Sequence, residues 1–179
     1  MKFTAPLTLL VAVSGAYSMV IERDTPVKQV ITDVTGGVDK LDAAANNFSG
    51  DIKPVVEAAE NLISLINNGQ TVADGAAPIQ LADAASLLQP VKDLDDHAKT
   101  LFNDVKGRVG DVEKAGQCDV TREKLGTVST NGNKLIDSIL NKVSSSFARA
   151  QAKPYTDDIK SLLQQAQDLF AEGKCVNAS

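Results

Sequence analysis

Hydrophobic residues recur at every third or fourth position along most of this chain, which is the spacing of an amphipathic helix. The first clear stretch follows Thr25 and Pro26, which suit an N-cap and the first position of a helix. A turn rich in Asn, Ser and Gly over residues 46–50 predicts its end. The apolar face of this helix comprises Val27, Val30, Ile31, Val34, Val38, Leu41, Ala45 and Phe48.

The middle of the chain predicts further helices, separated by glycine and proline. A second helix is expected from about Ile52, and Gly69 suits its C-terminal cap. The small and polar residues 70–77 then indicate a loop. Pro78 opens a third helical stretch, and Pro90 is expected to kink or end it because proline lacks a backbone N–H and crowds the preceding turn.

The second half of the chain continues the helical pattern. A fourth helix is predicted to end near Gly116. A fifth runs from about Asp119 to Val143, and a last helix follows a break before Pro154. Since no segment shows strand-like alternation, the pattern predicts an all-α fold. We expect an antiparallel bundle of five to six amphipathic helices, in a single domain over residues 19–179.

The start of the chain has the composition of a secretion signal. Lys2 supplies a positive charge, an apolar run occupies residues 7–13, and small side chains follow at 14–16. This arrangement predicts a signal peptide over residues 1–18, with cleavage near 16–18. The apolar run is much shorter than the roughly 20 residues of a membrane-spanning helix. We therefore expect a secreted protein with no membrane span, and the polar C-terminus predicts no lipid anchor.

Two further predictions depend on secretion. Cys118 and Cys175 are the chain's cysteines, and a pair in an oxidising compartment favours a single disulfide, with two free thiols as the alternative. Asn47 begins the tripeptide Asn47-Phe48-Ser49, which matches the acceptor pattern for N-glycosylation. Asn47 is therefore a candidate glycosylation site.

Charge and side-chain chemistry disfavour several classes of function. The chain carries 18 Lys and Arg against 23 Asp and Glu, a net charge of −5, which argues against nucleic acid and anionic membranes as partners. His97 is the only histidine, and the acidic residues near it, Asp93, Asp95 and Asp96, are interpreted as a solvated helix face. With no further metal ligand, nucleophile elbow or distinct carboxylate pair, we expect no metal, no cofactor and no enzymatic activity.

Two glycines lie within the apolar stripes of their helices. Gly37 follows Val34 by three residues and Gly132 follows Val128 by four, and a glycine in a helix interior costs about 0.8–1 kcal/mol relative to alanine. Either the glycines allow close helix packing, or they leave space in the core for an apolar ligand. Asn131 borders the second glycine and is a candidate partner for a carboxylate head group. The candidate ligand-binding residues are Val34, Gly37, Leu41, Leu101, Val128, Asn131, Gly132 and Leu135.

The order and spacing of these segments resemble a known family. The predicted signal is followed by Ile21-Glu22-Arg23-Asp24 and a first helix rich in Val and Ile. An Ala115-Gly116-x-Cys118 turn, a helix centred on Leu125 and a closing helix with Leu162-Leu163 and Leu169-Phe170 complete the pattern. The chain resembles the fungal hydrophobic surface-binding protein A family, which includes cell-wall galactomannoproteins. The resemblance implies a secreted, non-catalytic helical bundle.

The resemblance also implies two functions. Related galactomannoprotein domains hold fatty acids in a cavity along the bundle axis, so a fatty acid or another amphiphilic lipid is the first expected partner. Other family members adsorb to hydrophobic solid surfaces and recruit a secreted polyester-degrading hydrolase, which is the alternative. A wall antigen with no specific ligand is a third hypothesis. In each case the protein is expected outside the cell, with association to the cell wall as a further expectation.

Overall fold

The computed structural model describes residues 25–178. The predicted signal peptide, residues 1–18, lies outside these described residues. The helical bundle is confirmed, and within the described range the only non-helical pairing is one isolated bridge between Ile79 and Val143. The helices are α1 (Pro26–Asn46), α2 (Lys53–Gly75), α3 (Leu81–Gly107), α4 (Val109–Lys114), α5 (Cys118–Lys142) and α6 (Ser146–Leu169).

Side-chain caps determine where two of the helices begin. The hydroxyl of Thr25 accepts a hydrogen bond from the backbone N–H of Lys28 at 3.2 Å, and Pro26 occupies the first turn of α1, as predicted. Ser145 caps α6 in the same way, accepting from the N–H of Ala148 at 3.3 Å. The predicted break before Pro154 is wrong because this cap starts α6 at Ser146, and the exposed proline lies inside the helix.

Pro90 does not end α3, which continues to Gly107. Leu87, before the proline, is buried, and Leu94, after it, packs against the same core, so packing on both sides offsets the lost hydrogen bond. The helix breaks instead at Arg108, whose guanidinium donates to the carbonyl oxygen of Asn46 at 2.6 Å. The predicted fourth helix is therefore divided, and its end forms the short α4.

The second helix is longer than predicted, because Gly69 does not cap it. Gly69 is buried in the middle of α2, and a Cβ atom there would lie 2.5 Å from Cγ1 of Val30 in α1. The glycine thus allows close approach of α1 and α2. The predicted loop at residues 70–77 is correspondingly shorter, since α2 ends at Gly75.

The five long helices close a ring in the order α1, α2, α5, α6, α3 and back to α1. Long helices that follow one another along the chain run in opposite directions. Some helices that are neighbours in the ring, such as α2 and α5, run in the same direction. Lys124 near the start of α5 pairs with Glu60 near the start of α2, and Asn46 at the end of α1 donates to Asp104 at the end of α3. This ring, rather than a stack of two layers, produces the interior described below.

A disulfide between Cys118 and Cys175 closes one end of the ring and confirms the predicted pair. Both cysteines are buried beside Phe170 in a small cluster of apolar side chains. The side-chain oxygen of Asn177 accepts from the N–H of Cys118 at 2.9 Å and so satisfies a free amide at the start of α5. Arg122 donates from Nε to the carbonyl oxygen of Phe170 at 2.7 Å. The C-terminal segment is thereby held against α5.

Candidate ligand-binding cavity

A cavity of about 170 Å³ lies at the centre of the ring. Every residue of its wall is buried or half-buried. For scale, an engineered aliphatic cavity of about 150 Å³ stays dry and binds benzene. We name this space the central cavity; its wall includes Val34, Val38 and Leu41 from α1, Leu62 and Ile66 from α2, Leu94 and Leu101 from α3, Val128 and Leu135 from α5, and Leu162 and Leu163 from α6.

The cavity follows from the geometry of five helices in a ring. Axes spaced about 9 Å apart on such a ring lie about 8 Å from its centre, whereas a helix with its side chains extends about 5–6 Å from its own axis. Large inward side chains would fill the remaining space, but each of the five helices places a small residue on the wall. These small residues are Ala45, Ala59, Ala98, Gly132 and Ala166.

A second cavity, also about 170 Å³, lies between α1, α3, α5 and α6 at the end away from the disulfide. It differs from the central cavity because exposed residues form part of its wall. Leu81 and Phe147 are 54% and 66% exposed, and the exposed Arg149 also lines it. The two cavities share a wall formed by Val34, Leu94, Leu135, Ile136 and Ile159.

The structure brings most of the predicted ligand-binding residues to the central cavity. Those on its wall are Val34, Leu41, Leu101, Val128, Gly132 and Leu135. Asn131 is half-buried but lies outside the walls of both cavities, so the cavity geometry gives it no contact with a head group. Successive side chains on a helix point about 100° apart, so Asn131 can lie outside the cavity while the next residue, Gly132, lies on its wall.

Gly37 is also outside the central cavity, contrary to its predicted position. A Cβ atom on Gly37 would lie 2.9 Å from Cδ1 of Leu65 and 3.0 Å from Cδ1 of Leu62, both in α2. The glycine therefore serves close packing of α1 against α2, which was the other interpretation of its place in the stripe.

Sequence reasoning missed two polar residues on the central cavity, Thr121 and Lys124 of α5. The hydroxyl oxygen of Thr121 is buried and has no hydrogen-bond partner among the described residues. Lys124 lies one turn later, with a side chain that is 23% exposed, and pairs with Glu60 of α2 at 2.9 Å. The hydrogen bond with Glu60 raises the pKa of Lys124 above its usual value, so the ammonium is charged at neutral pH. The only signal for these two residues in the sequence is their spacing of three positions, which places both on one face of the helix.

The acidic cluster near His97 is not uniformly solvated. Asp95 is 1% exposed, and its carboxylate accepts a hydrogen bond from Nζ of Lys99 at 2.6 Å. Lys99 also pairs with Asp158 of α6 at 3.1 Å, at the contact between α3 and α6. The prediction that the acidic residues form a solvated helix face is therefore wrong for Asp95. His97 hydrogen-bonds to Asp39 of α1. Within residues 25–178, no group of three or more His, Cys, Asp or Glu side chains is placed to hold a metal ion.

The sequence of the chain matches a known protein family. The model of the family described as hydrophobic surface binding protein A matches residues 25–141. The chain belongs to this family. The match covers α1 to α5, apart from the last residue of α5, and therefore includes the wall contributed by four of the five ring helices. Among the described residues, no helix is long and apolar enough to cross a membrane.

The chain is also similar to individual proteins. Cell wall mannoprotein 1 of Aspergillus fumigatus is 26% identical over 175 residues, and the match covers 96% of this chain and 61% of that protein. Ligand-binding domain 1 of the Penicillium marneffei MP1 protein, solved with arachidonic acids, is 18% identical with a TM-score of 0.78, over 82% of this chain and 97% of the domain. Afmp4p, solved with palmitic acid, is 17% identical with a TM-score of 0.75, over 81% and 97%.

Proposed function

We propose that the protein is a non-enzymatic binding protein that holds a fatty acid or a similar amphiphile, with the acyl chain in the central cavity. The observation that carries this proposal is an apolar cavity walled by all five long helices, with a small residue from each facing it. Structural neighbours of the same fold were solved with arachidonic and palmitic acids, which supports an acyl chain as the ligand class.

The affinity for fatty acids is expected to rise with chain length. Each methylene removed from water contributes about 0.8 kcal/mol, which is about a fourfold gain in affinity. We therefore expect dissociation constants to fall steadily from a C8 to a C14 acid and to level off when the cavity is full. Titration calorimetry over this series measures the slope. A protein purified without bound lipid that also ignores every added acid would contradict the proposed function.

A second candidate function is adsorption to a hydrophobic surface, followed by recruitment of a secreted hydrolase. Exposed Leu81 and Phe147 favour it, since both lie at the mouth of the second cavity on one end of the bundle. This role is compatible with lipid binding because neither Leu81 nor Phe147 belongs to the wall of the central cavity.

Replacing both exposed side chains in Leu81→Gln/Phe147→Gln is expected to reduce adsorption to polystyrene beads severalfold. The effect should be clearest at high salt, where apolar adsorption strengthens. Val176→Gln is the matched control, because Val176 is 60% exposed and follows Cys175 of the disulfide, at the other end of the bundle. Negligible adsorption of the parent protein at high salt would rule out the adaptor role.

We further propose that the protein acts outside the cell, in association with the cell wall. Its similarity to a cell wall mannoprotein and its disulfide support this location. The signal peptide over residues 1–18, the domain limits 19–179 and glycosylation of Asn47 stay predictions. Asn47 is exposed, and its side-chain nitrogen donates to the carbonyl oxygen of Ala43 at 2.9 Å.

A further inference from the structure

The second cavity is the place where solvent meets the apolar interior of the bundle. Every residue on the wall of the central cavity is buried or half-buried, whereas exposed residues line part of the second cavity. All of these exposed residues belong to α3 and α6, and they are Leu81, Ala85, Phe147, Arg149 and Gln151. The residues that α1 and α5 contribute to the same wall are buried or half-buried. The second cavity therefore opens between α3 and α6, and we name this opening the α3–α6 window.

A backbone bridge holds one end of the window. The N–H of Ile79, which precedes α3, donates to the carbonyl oxygen of Lys142 at 2.7 Å. The carbonyl oxygen of Ile79 accepts from the N–H of Ser144, which precedes α6, at 3.0 Å. These two hydrogen bonds tie together the segments from which α3 and α6 start in the same direction.

An ion pair holds the other end of the window. The ammonium of Lys99 in α3 bonds to Asp158 of α6 at 3.1 Å, and we name this contact the latch. The two side chains are 43% and 56% exposed, and ion pairs this accessible contribute little to stability because water and salt screen them. From Leu81 to Asp95, the second partner of Lys99, α3 advances 14 residues or about 21 Å, which sets the length of the window.

The latch lies beside the wall that separates the two cavities. Asp95 directly follows Leu94, and Asp158 directly precedes Ile159, and both of these apolar residues belong to the shared wall. Oδ1 of Asp95 is buried and has no hydrogen-bond partner among the described residues. A buried oxygen without a partner has lost its hydrogen bonds to water, so it weakens the closed contact between α3 and α6 at this level.

We propose that the α3–α6 window is the portal through which an acyl chain passes between solvent and the central cavity, and that the latch limits the rate of passage. The proposal rests on the proposed function and adds the route that the ligand takes. The acyl chain enters between the small side chains of Ala85 in α3 and Ala152 in α6 and crosses the second cavity. It reaches the central cavity when side chains of the shared wall change rotamer.

The opening of the latch assists this last step. Separation of α3 and α6 at the latch returns the Asp95 carboxylate to water and removes support from Leu94 and Ile159 in the shared wall. A portal serves both entry and exit. A substitution that affects only the portal therefore changes the association and dissociation rates by the same factor and leaves the dissociation constant unchanged.

Asp158→Asn tests the latch, because it removes the charge that Lys99 contacts across the helix pair while Lys99 keeps its bond to Asp95. Both rates are expected to rise about two- to fivefold, which corresponds to the loss of a partly exposed ion pair. Stopped-flow mixing with cis-parinaric acid, a long-chain fatty acid that is itself fluorescent, measures association, and displacement by excess hexadecanoic acid measures dissociation. Asp157→Asn is the matched control, since Asp157 is 55% exposed and pairs with Lys153 within α6 at 2.6 Å. It should leave both rates unchanged.

Ala85→Phe tests the window itself. Ala85 is exposed and lines the second cavity, so a phenyl ring there should narrow the opening without disturbing the core. Both rates are expected to fall severalfold at an unchanged dissociation constant. Ala82→Phe is the matched control, because Ala82 is exposed on the same helix and lies on the wall of neither cavity.

The outcomes separate the portal from the proposed function. Parental rates in Ala85→Phe would overturn the portal, and parental rates in Asp158→Asn would overturn the latch, while lipid binding itself stands in both cases. A changed dissociation constant in Ala85→Phe would also overturn the portal, because it would mean that the residue contacts the bound ligand. A parent protein that takes up no cis-parinaric acid and no hexadecanoic acid would overturn the proposed function together with its portal.

Discussion

Removing the disulfide is expected to lower the free energy of unfolding by about 4 kcal/mol, because Cys118 and Cys175 close a loop with a sequence separation of 57 residues. In a protein of this size, that loss lowers the unfolding midpoint by roughly 10 °C. The double variant Cys118→Ala/Cys175→Ala tests this by thermal unfolding. Reduction of the parent should give a similar shift, whereas reducing agent should not affect the double variant.

The disulfide acts together with hydrogen bonds at the same end of the bundle. Asn177→Ala removes the side chain that accepts from the N–H of Cys118, and its effect separates this cap from the covalent bond. Loss of a helix cap costs about 1 kcal/mol, so this variant should be much less destabilised than the one without the disulfide. Two free thiols in the intact mass of secreted protein would contradict the disulfide prediction.

The fold was predictable where local signals agreed with packing. The stripe of α1, its Thr25 cap and Pro26 all specify the same helix, and the structure begins it there. Gly69 and Pro154 misled for different reasons. At Pro154 a local signal, the Ser145 cap, starts α6 before the proline, whereas at Gly69 a contact distant in sequence outweighs local preference. The partner of Gly69 is Val30 in another helix, and no pattern around Gly69 indicates that contact.

The apolar residues of the cavity wall were predictable from the sequence, whereas its two polar residues were not. Apolar positions such as Leu101 and Val128 must face inward in any bundle, so they meet at its centre. Thr121 and Lys124, by contrast, have the composition of ordinary polar helix positions. The burial of the Thr121 hydroxyl and the pairing of Lys124 with Glu60 of α2 arise only in the folded structure.

Gly132→Leu is expected to weaken fatty-acid binding about thirtyfold while leaving the protein folded. The leucine side chain would occupy the central cavity and displace two or three methylenes of the ligand, each contributing about 0.8 kcal/mol. The added Cβ atom would lie 3.3 Å from Cδ1 of Leu163, a contact that a small side-chain shift relieves. Replacing glycine inside α5 also favours the helix by up to about 1 kcal/mol, so the unfolding midpoint should not fall far.

Gly37→Leu should instead destabilise the protein and leave fatty-acid binding nearly unchanged. Its Cβ atom would lie within 3.0 Å of Leu62 and Leu65, and overpacking of this kind costs about 1–3 kcal/mol, so the unfolding midpoint falls. Gly37 is not on the cavity wall, so the protein that remains folded should bind lipid nearly as well as the parent. Gly36→Leu is the matched control, since a Cβ atom there meets nothing within 4 Å. Binding measured on folded protein by titration decides the outcome: if Gly132→Leu binds as tightly as Gly36→Leu, the acyl chain does not occupy the central cavity.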